Sequence, residues 1–118
     1  MKKILILLLL LLAACDSGTL WEDEQYAVYW IDSSENISLG IKINDSTFIG
    51  RHGPPPFSVG SNNQYLVVKE EQAYYYIIKK EDSWKNDNAE GRHGPFTENV
   101  FLKYKQELQL PEFEVHFN

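Results

Sequence analysis

The chain has 118 residues, with 11 lysines and arginines against 17 aspartates and glutamates, and its formal net charge is −6. This length allows one small domain, and the acidic balance argues against direct binding to nucleic acid or to anionic lipid headgroups. The single cysteine cannot form a disulfide within the chain. We therefore expect a small domain that is held together by its hydrophobic core and binds no nucleic acid.

The N-terminal residues have the pattern of a secretory signal peptide. Two lysines precede an unbroken apolar run over residues 4–12, and the small residues Ala13 and Ala14 follow it. The run is much shorter than the roughly 20 apolar residues that a membrane-spanning helix needs. We therefore expect residues 1–14 to be removed after export.

The sequence Leu12-Ala13-Ala14-Cys15 resembles the lipobox of bacterial lipoproteins. The resemblance implies cleavage before Cys15, a diacylglycerol on its sulfur and acylation of the new amino group. Each buried methylene adds about 0.8 kcal/mol of membrane affinity, and two acyl chains already anchor a protein stably. The alternative is an ordinary cleavable signal with a chance cysteine.

The lipobox implies a protein anchored by lipid to the cell membrane and facing the periplasm or the cell exterior. No cofactor is expected apart from the covalent lipid. Asp16 resembles the residue that keeps lipoproteins of enteric-type bacteria in the inner membrane, and it suits a solvated linker equally well. We expect residues 15–23 to be a lipidated linker and residues 24–118 to be a single β-rich domain. Without its first 14 residues the chain loses two lysines, so nine basic residues face 17 acidic ones.

Short runs rich in aromatic and β-branched residues, separated by polar turns, predict an antiparallel meander of five to seven strands. The first run has apolar residues on both faces, which places it centrally in a sheet. The predicted strands are residues 26–32, 39–43, 47–51, 57–59, 65–69, 74–79 and 113–117.

One short helix is predicted near the C-terminus, over residues 98–108. Thr97 is its N-cap, Phe96 and Phe101 have the spacing of a hydrophobic staple, and Pro111 prevents continuation. The predicted buried stripe consists of Val100, Phe101, Tyr104 and Leu108. The fold class is therefore α+β and mainly β, with the helix packed on the sheet.

These segments together look like small bacterial lipoproteins of unknown function. The shared features are a YYII-type strand, a Gly-Pro pair and a short helix that ends in Leu-Pro, and they cover most of residues 21–111. The resemblance implies a fold and a cellular address rather than an activity.

The pentapeptide Gly-Arg-His-Gly-Pro occurs twice, at residues 50–54 and 91–95. We interpret the copies as two equivalent turns that leave strands, with glycine supplying positive φ and proline ending the ladder. An internal duplication is the alternative. Arg-His-Gly also resembles the core of histidine phosphatases, but those enzymes need further arginines, a second histidine and an acid on a large α/β fold.

No catalytic residues and no metal ligands are assigned. There is no Gly-x-Ser-x-Gly elbow and no phosphate-binding glycine loop. A zinc site from His52, His93 and His116 would depend on tertiary convergence, since no pair has the spacing of one helical turn. We expect a protein that is not an enzyme.

Binding residues are proposed in three places. Trp84 lies in a polar loop, where an exposed indole is a typical binding anchor, although it could also fold back on a sheet edge. Phe57 follows the Pro54–Pro56 loop, which forms either a contact patch or a spacer. The candidate binding residues are Trp84, Phe57, Arg51, His52, Arg92 and His93.

Three functions remain open from the sequence. The first is a non-catalytic protein-binding module of the envelope, such as a toxin-immunity protein or an accessory subunit of an envelope complex. The second is a small hydrolase or metal-binding protein that uses His52 and His93. The third is a purely structural envelope lipoprotein.

Overall fold

The computed structural model describes residues 17–45, 47–85 and 91–118. The signal peptide, its cleavage residues and the lipidation site at Cys15 lie outside the described residues. Nine strands and two helical segments form within the described part. The strands are β1 (Ser17–Glu22), β2 (Tyr26–Ile31), β3 (Ile37–Asn44), β4 (Thr47–His52), β5 (Phe57–Ser61), β6 (Tyr65–Lys69), β7 (Tyr74–Ile78), β8 (Arg92–Phe96) and β9 (Val115–Phe117).

The strands form two antiparallel sheets. The first has the order β1-β2-β3-β4, and the second has the order β8-β7-β6-β5-β9. Strands β1 to β4 and β5 to β8 are meanders of sequential neighbours, and β9 returns to pair with β5. The mainly β, antiparallel fold class predicted from the sequence is therefore confirmed, with nine strands in place of five to seven.

Strand β1 replaces most of the linker expected over residues 15–23. It pairs with β2 from Ser17 opposite Ile31 to Glu22 opposite Ala27. Its sequence has only two large apolar residues and no clear alternation, so its strand character comes from pairing with β2. Residues 17–22, which were expected to be linker, are therefore part of the first sheet.

Strand β8 occupies a segment that the sequence analysis interpreted as a turn. It pairs with β7 and forms an edge of the second sheet. Proline lacks a backbone N–H, and an edge strand tolerates this because its outer side forms no ladder within the sheet. Gly91 precedes the strand, and its carbonyl accepts a hydrogen bond from the Ile78 N–H at 2.9 Å. The glycine and proline that predicted a turn are tolerated because this strand lies at an edge.

Two cores lie on the two faces of the second sheet. The inner core fills the space between the sheets, and each of its fully buried aliphatic or phenylalanine side chains contributes about 1.5–3 kcal/mol. It consists of Tyr26, Val28, Leu39, Ile41, Phe57, Val59, Leu66, Val68 and Ile77. The outer core, on the opposite face, consists of Val67, Tyr74, Tyr76, Phe101 and Leu110.

The helix α1 (Glu98–Leu108) covers the outer core and has the bounds predicted from the sequence. Thr97 is its N-cap, and its hydroxyl accepts a hydrogen bond from the Val100 N–H at 3.4 Å. Phe101 is fully buried, as predicted, but Val100 is exposed, so its inclusion in the predicted buried stripe was wrong. Neither α1 nor the 3-10 helix at Lys79–Glu81 has the length and apolarity needed to cross a bilayer.

The two sheets pack with corresponding ends together. At one end, the turn between β1 and β2 meets the residue after β7, where Lys79 Nζ donates to Asp23 Oδ2 at 2.7 Å. At the other end, the ring of His52, the last residue of β4, lies 5.0 Å from that of Phe57, the first residue of β5. The sandwich is therefore aligned, with the loop 53–56 at the second end.

Candidate functional site

A polar cleft opens at the end of the sandwich where β4 and β6 finish. It lies between the proline loop at residues 53–56 and the turn at residues 70–73, and its volume is about 660 Å³. The residues that give it chemical character are His52, Pro54, Pro56, Glu70, Glu71 and Arg92. Two candidates from the sequence, His52 and Arg92, are thus brought to one site.

Arg92 is held in the cleft by two contacts. Its guanidinium lies 4.0 Å from the centre of the Tyr75 ring, a cation–π arrangement, and its Nη1 donates to the carbonyl oxygen of Arg51 at 3.0 Å. The second contact joins the two copies of the repeated pentapeptide. A flat cation fixed in this way presents its remaining N–H groups without a large entropic cost.

His52 lies beside Arg92 with only 8% of its side chain exposed. Its ring packs edge-on to Phe57, and its Nε2 is 3.6 Å from Glu70 Oε1. Burial lowers the pKa of His52 below its usual value, Glu70 opposes this shift, and the Arg92 charge adds to it. The imidazole is therefore neutral at neutral pH, and the formal charges of the cleft are those of Arg92, Glu70 and Glu71.

A buried ion pair lies behind the cleft. Arg51 Nη2 donates to Asp82 Oδ1 at 3.0 Å, and the two side chains are 1% and 0% exposed. The Tyr26 hydroxyl donates to Asp82 Oδ2 at 2.7 Å, and burial followed by this hydrogen bond raises the pKa of Tyr26 strongly. Breaking such a pair costs about 3–5 kcal/mol, since one charge is left buried alone. The network fixes Arg51, and with it the orientation of the adjacent His52.

A second ion pair closes the opposite end of the sandwich. Lys79, which is buried, donates from Nζ to Asp23, whose carboxylate also accepts from the N–H groups of Gln25 and Tyr26. Desolvation would raise the pKa of Asp23, but these hydrogen bonds outweigh it and lower the pKa overall. The polar groups of this ion pair at the opposite end are therefore satisfied by hydrogen bonds.

A smaller pocket of about 170 Å³ adjoins the cleft and shares Glu70 and Glu71 with it. Ser58 and His116 face each other across β5 and β9, with Ser58 Oγ 2.7 Å from His116 Nδ1. His116 Nε2 lies 3.0 Å from the side-chain oxygen of Asn118. His116 is thus engaged with Ser58 rather than with the other histidines.

The two repeated histidines lie on opposite faces of the second sheet. His52 faces Tyr75, which packs against the inner core, whereas His93 stacks on Tyr76 of the outer core with ring centres 4.8 Å apart. Neighbouring residues of a strand point to opposite faces, so the sheet separates the two imidazoles. A shared zinc site from His52 and His93 is therefore wrong. Within residues 17–45, 47–85 and 91–118, no group of three potential ligand residues could hold a metal ion.

The remaining candidates fall into two classes. Phe57 is fully buried in the inner core and Arg51 is buried in the ion pair, so neither can form a contact patch. Trp84 is 45% exposed, as the anchor interpretation requires, and Lys85 Nζ lies 5.8 Å from its ring centre. The carbonyl of Ser83, the preceding residue, accepts from Arg51 at 2.9 Å, so the buried network also positions the start of this loop.

The acidic rim of the cleft was missed from the sequence. In the sequence, Glu70 and Glu71 predicted only a turn between two strands, because hairpin turns are commonly polar. Their position opposite the proline loop depends on the packing of two sheets, which no local pattern encodes. Comparisons of the chain with models of known families, with curated proteins and with solved structures find no match.

Proposed function

We propose that the protein is a bacterial envelope lipoprotein, tethered to the cell membrane by lipid on Cys15, that binds a partner protein through the cleft and has no catalytic role. The lipobox-like sequence supports the address. The observation that carries the binding role is Arg92, a rigidly held cation in a cleft of about 660 Å³. Asp16 favours the inner membrane.

Arg92 has binding capacity left over. Among the described residues its guanidinium has one hydrogen-bond acceptor, the Arg51 carbonyl, and no carboxylate within 4 Å. Arginine is enriched at the centres of protein interfaces, where it pairs with carboxylates and carbonyls of the partner. The stacked guanidinium is therefore suited to donate hydrogen bonds to a carboxylate or a backbone carbonyl of a partner.

The rest of the cleft restricts the ligand further. Glu70 and Glu71 face the cleft from the turn and favour a cationic group, while Pro54 and Pro56 offer an apolar wall. A peptide segment that carries a basic side chain next to an acidic one suits the glutamates, the guanidinium of Arg92 and the proline wall together. The acidic charge of the whole domain speeds the approach of a basic partner.

A toxin that an immunity lipoprotein would capture and a subunit of an envelope complex both fit this description. The choice between them depends on the identity of the partner. A purely structural envelope lipoprotein is the outcome if no partner engages the cleft.

The address is tested by metabolic labelling with a clickable palmitate. The wild-type protein is expected to carry the label in the membrane fraction, and the Cys15→Ser variant is expected to lose it. A full-length, unlabelled wild-type protein in the cytosol would overturn the proposal.

The binding role is tested with a photo-crosslinking amino acid placed in living cells at Gln72, on the cleft turn, or at Asn63, on the turn at the opposite end. We expect a discrete crosslinked protein from position 72 and not from position 63. Arg92→Met should abolish this product, and Lys103→Met on the exposed side of α1 should keep it. Crosslinking that is equal at both turns, or insensitive to Arg92→Met, would contradict the proposed site.

A further inference from the structure

We infer that the cleft end of the sandwich faces the bilayer, so the partner segment that enters the cleft belongs to a membrane-proximal part of its protein. The inference rests on the proposed lipidation of Cys15. The cleft end is defined here as residues 32–36, 53–56 and 70–73, and the opposite end as residues 23–25, 44–45 and 62–64.

The folded domain starts very close to the anchor. Strand β1 begins at Ser17, only two residues after Cys15. Two residues of polypeptide span at most about 7 Å, whatever their conformation. The start of β1 therefore lies next to the lipid headgroups, and no long flexible segment separates the anchor from the domain.

The first strand is firmly joined to the rest of the sheet. Ser17 pairs with Ile31 and Gly18 pairs with Trp30, and after a register shift between Thr19 and Trp21 the pairing resumes and ends at Glu22. The Trp30 indole packs so closely over Gly18 that any side chain there would collide with it. Because Ser17 is itself paired within the sheet, its position determines which end of the sandwich lies beside the anchor.

Strand directions determine which end is held at the membrane. Ser17 lies opposite Ile31, so the loop at 32–36 is at the anchored end, and the turn at 23–25 is at the far end. Strand β4 runs back towards the anchored end and finishes at His52, beside the cleft. A strand of six residues is about 20 Å long. When the strands stand along the membrane normal, the cleft end is about 20 Å nearer to the bilayer than the opposite end.

The surface chemistry of the cleft end resists insertion into the bilayer. Ile31 is half exposed and can rest against the interface. Asp32 and Glu35 in the neighbouring loop are exposed acids, which resist entry into the hydrocarbon layer. The domain should therefore stand upright on the membrane surface.

This orientation narrows the choice of partner. Strands β1 and β4 are three strand spacings apart, so the cleft lies about 15 Å to the side of the anchor. The mouth of the cleft opens at the anchored end of the sandwich and close to the membrane surface. A soluble protein arriving from the far side would have to reach around the sandwich, whereas the juxtamembrane segment of a membrane protein or of another lipoprotein lies at the right height.

The orientation can be measured without knowing the partner. Lipidated protein is reconstituted in vesicles of phosphatidylethanolamine and phosphatidylglycerol that contain a headgroup spin-labelled lipid. Cysteines are introduced singly at exposed positions and labelled with an environment-sensitive fluorophore. Labelling is specific because Cys15 is the only native cysteine and its sulfur carries lipid. The matched pairs are Gln72→Cys against Asn63→Cys, which flank β6, and Ser34→Cys against Asp45→Cys, which flank β3.

We expect loss of most of the fluorescence at positions 72 and 34 and little loss at positions 63 and 45. A flexible spacer of about 20 Gly and Ser residues after Asp16, with a root-mean-square span of about 25 Å, should remove the difference between the ends. Equal quenching at both ends without the spacer, stronger quenching at 63 and 45, or a difference that survives the spacer would each overturn the inference.

The result is separable from the proposed binding role and address. Vesicles contain no partner, so a failed crosslinking experiment leaves the orientation measurement intact. If palmitate labelling fails in cells, a lipid coupled through maleimide to Cys15 of the chain from residue 15 onwards still reports whether the short connection orients the domain. In that case the address fails while the geometric argument is tested alone.

Discussion

The two copies of Gly-Arg-His-Gly-Pro are identical in sequence but their arginines and histidines have different neighbours. The first copy ends β4, and its arginine is buried against Asp82 while its histidine faces the cleft. The second copy begins β8, and its arginine lies over Tyr75 in the cleft while its histidine stacks on Tyr76 on the other side of the sheet. The interpretation of the copies as equivalent turns is wrong.

This difference shows that the role of a residue depends on the strand in which it lies, because the same five residues contact different neighbours in β4 and in β8. Arg51 finds a carboxylate 31 residues away, which removes it from solvent. Arg92 finds an aromatic face and a carbonyl, which hold it without neutralising its charge. One arginine therefore supports the fold, and the other supplies the candidate binding site.

The sharpest test of this contrast replaces each arginine by methionine. Arg51→Met should lower the free energy of unfolding by about 3–5 kcal/mol, because it leaves the Asp82 carboxylate buried without its cation. Arg92→Met should cost about 1 kcal/mol, from one hydrogen bond and one cation–π contact. Urea denaturation followed by tryptophan fluorescence measures both values.

A compensated variant separates charge burial from simple loss of packing. The triple replacement Tyr26→Phe, Arg51→Met and Asp82→Leu removes both charges of the buried pair together with the hydroxyl that donates to Asp82. Its stability should lie well above that of Arg51→Met alone, since no buried charge remains. Equal destabilisation by Arg51→Met and Arg92→Met would mean that the two copies are energetically equivalent after all.

The first glycine of each copy gives the next largest contrast. A Cβ at Gly91 would lie 2.6 Å from the backbone oxygen of Ile78, whereas a Cβ at Gly50 would meet no atom within 4 Å. Gly91→Ala should therefore destabilise the protein by about 1–3 kcal/mol through overpacking. Gly50→Ala should change the stability by no more than about 0.5 kcal/mol. Thermal unfolding of the two variants decides the point, and similar losses in both would contradict the close approach of β7 to residue 91.

The histidines give the smallest effect, and it depends on pH. Burial lowers the pKa of His52 below its usual 6.5, so the folded protein binds a proton at this site less readily than the unfolded chain. The stability contributed by neutral His52 is present above pH 6.5 and is lost as the pH falls from there towards the lowered pKa. His52→Gln should flatten the stability profile in this range.

Urea titrations at several pH values between 5 and 8 measure these profiles. A wild-type stability that rises on acidification through this range would reverse the expected sign. A pH dependence that survives unchanged in His52→Gln would show that this histidine is not its source.

The sequence predicted those elements whose signal is local. The apolar run at residues 65–69 and the Thr97 cap of α1 were found with their observed bounds, because alternation and capping depend on near neighbours. Strand β1 was missed since its residues gain strand structure only by pairing with β2. Strand β8 was missed because Gly94 and Pro95 interrupt regular structure except at an edge.

The site was only half predictable for a related reason. The repeated pentapeptide drew attention to His52 and Arg92, which both line the cleft. The same pattern could not show that Arg51 pairs with Asp82 or that Phe57 is fully buried in the inner core. Both facts follow from how two sheets face each other, and that relation is fixed by contacts between residues far apart in the chain.

The second sheet is covered on both faces, by the first sheet and by α1, while the outer face of the first sheet carries side chains such as the stacked Tyr29 and Phe48. Backbone amides exchange with solvent hydrogens at rates set by how readily each part opens. The amides of β6, in the middle of the doubly covered sheet, should exchange last, and those of β1 first among the strands of the first sheet. The polypeptide thus loosens in order from the edge next to its N-terminus towards the centre.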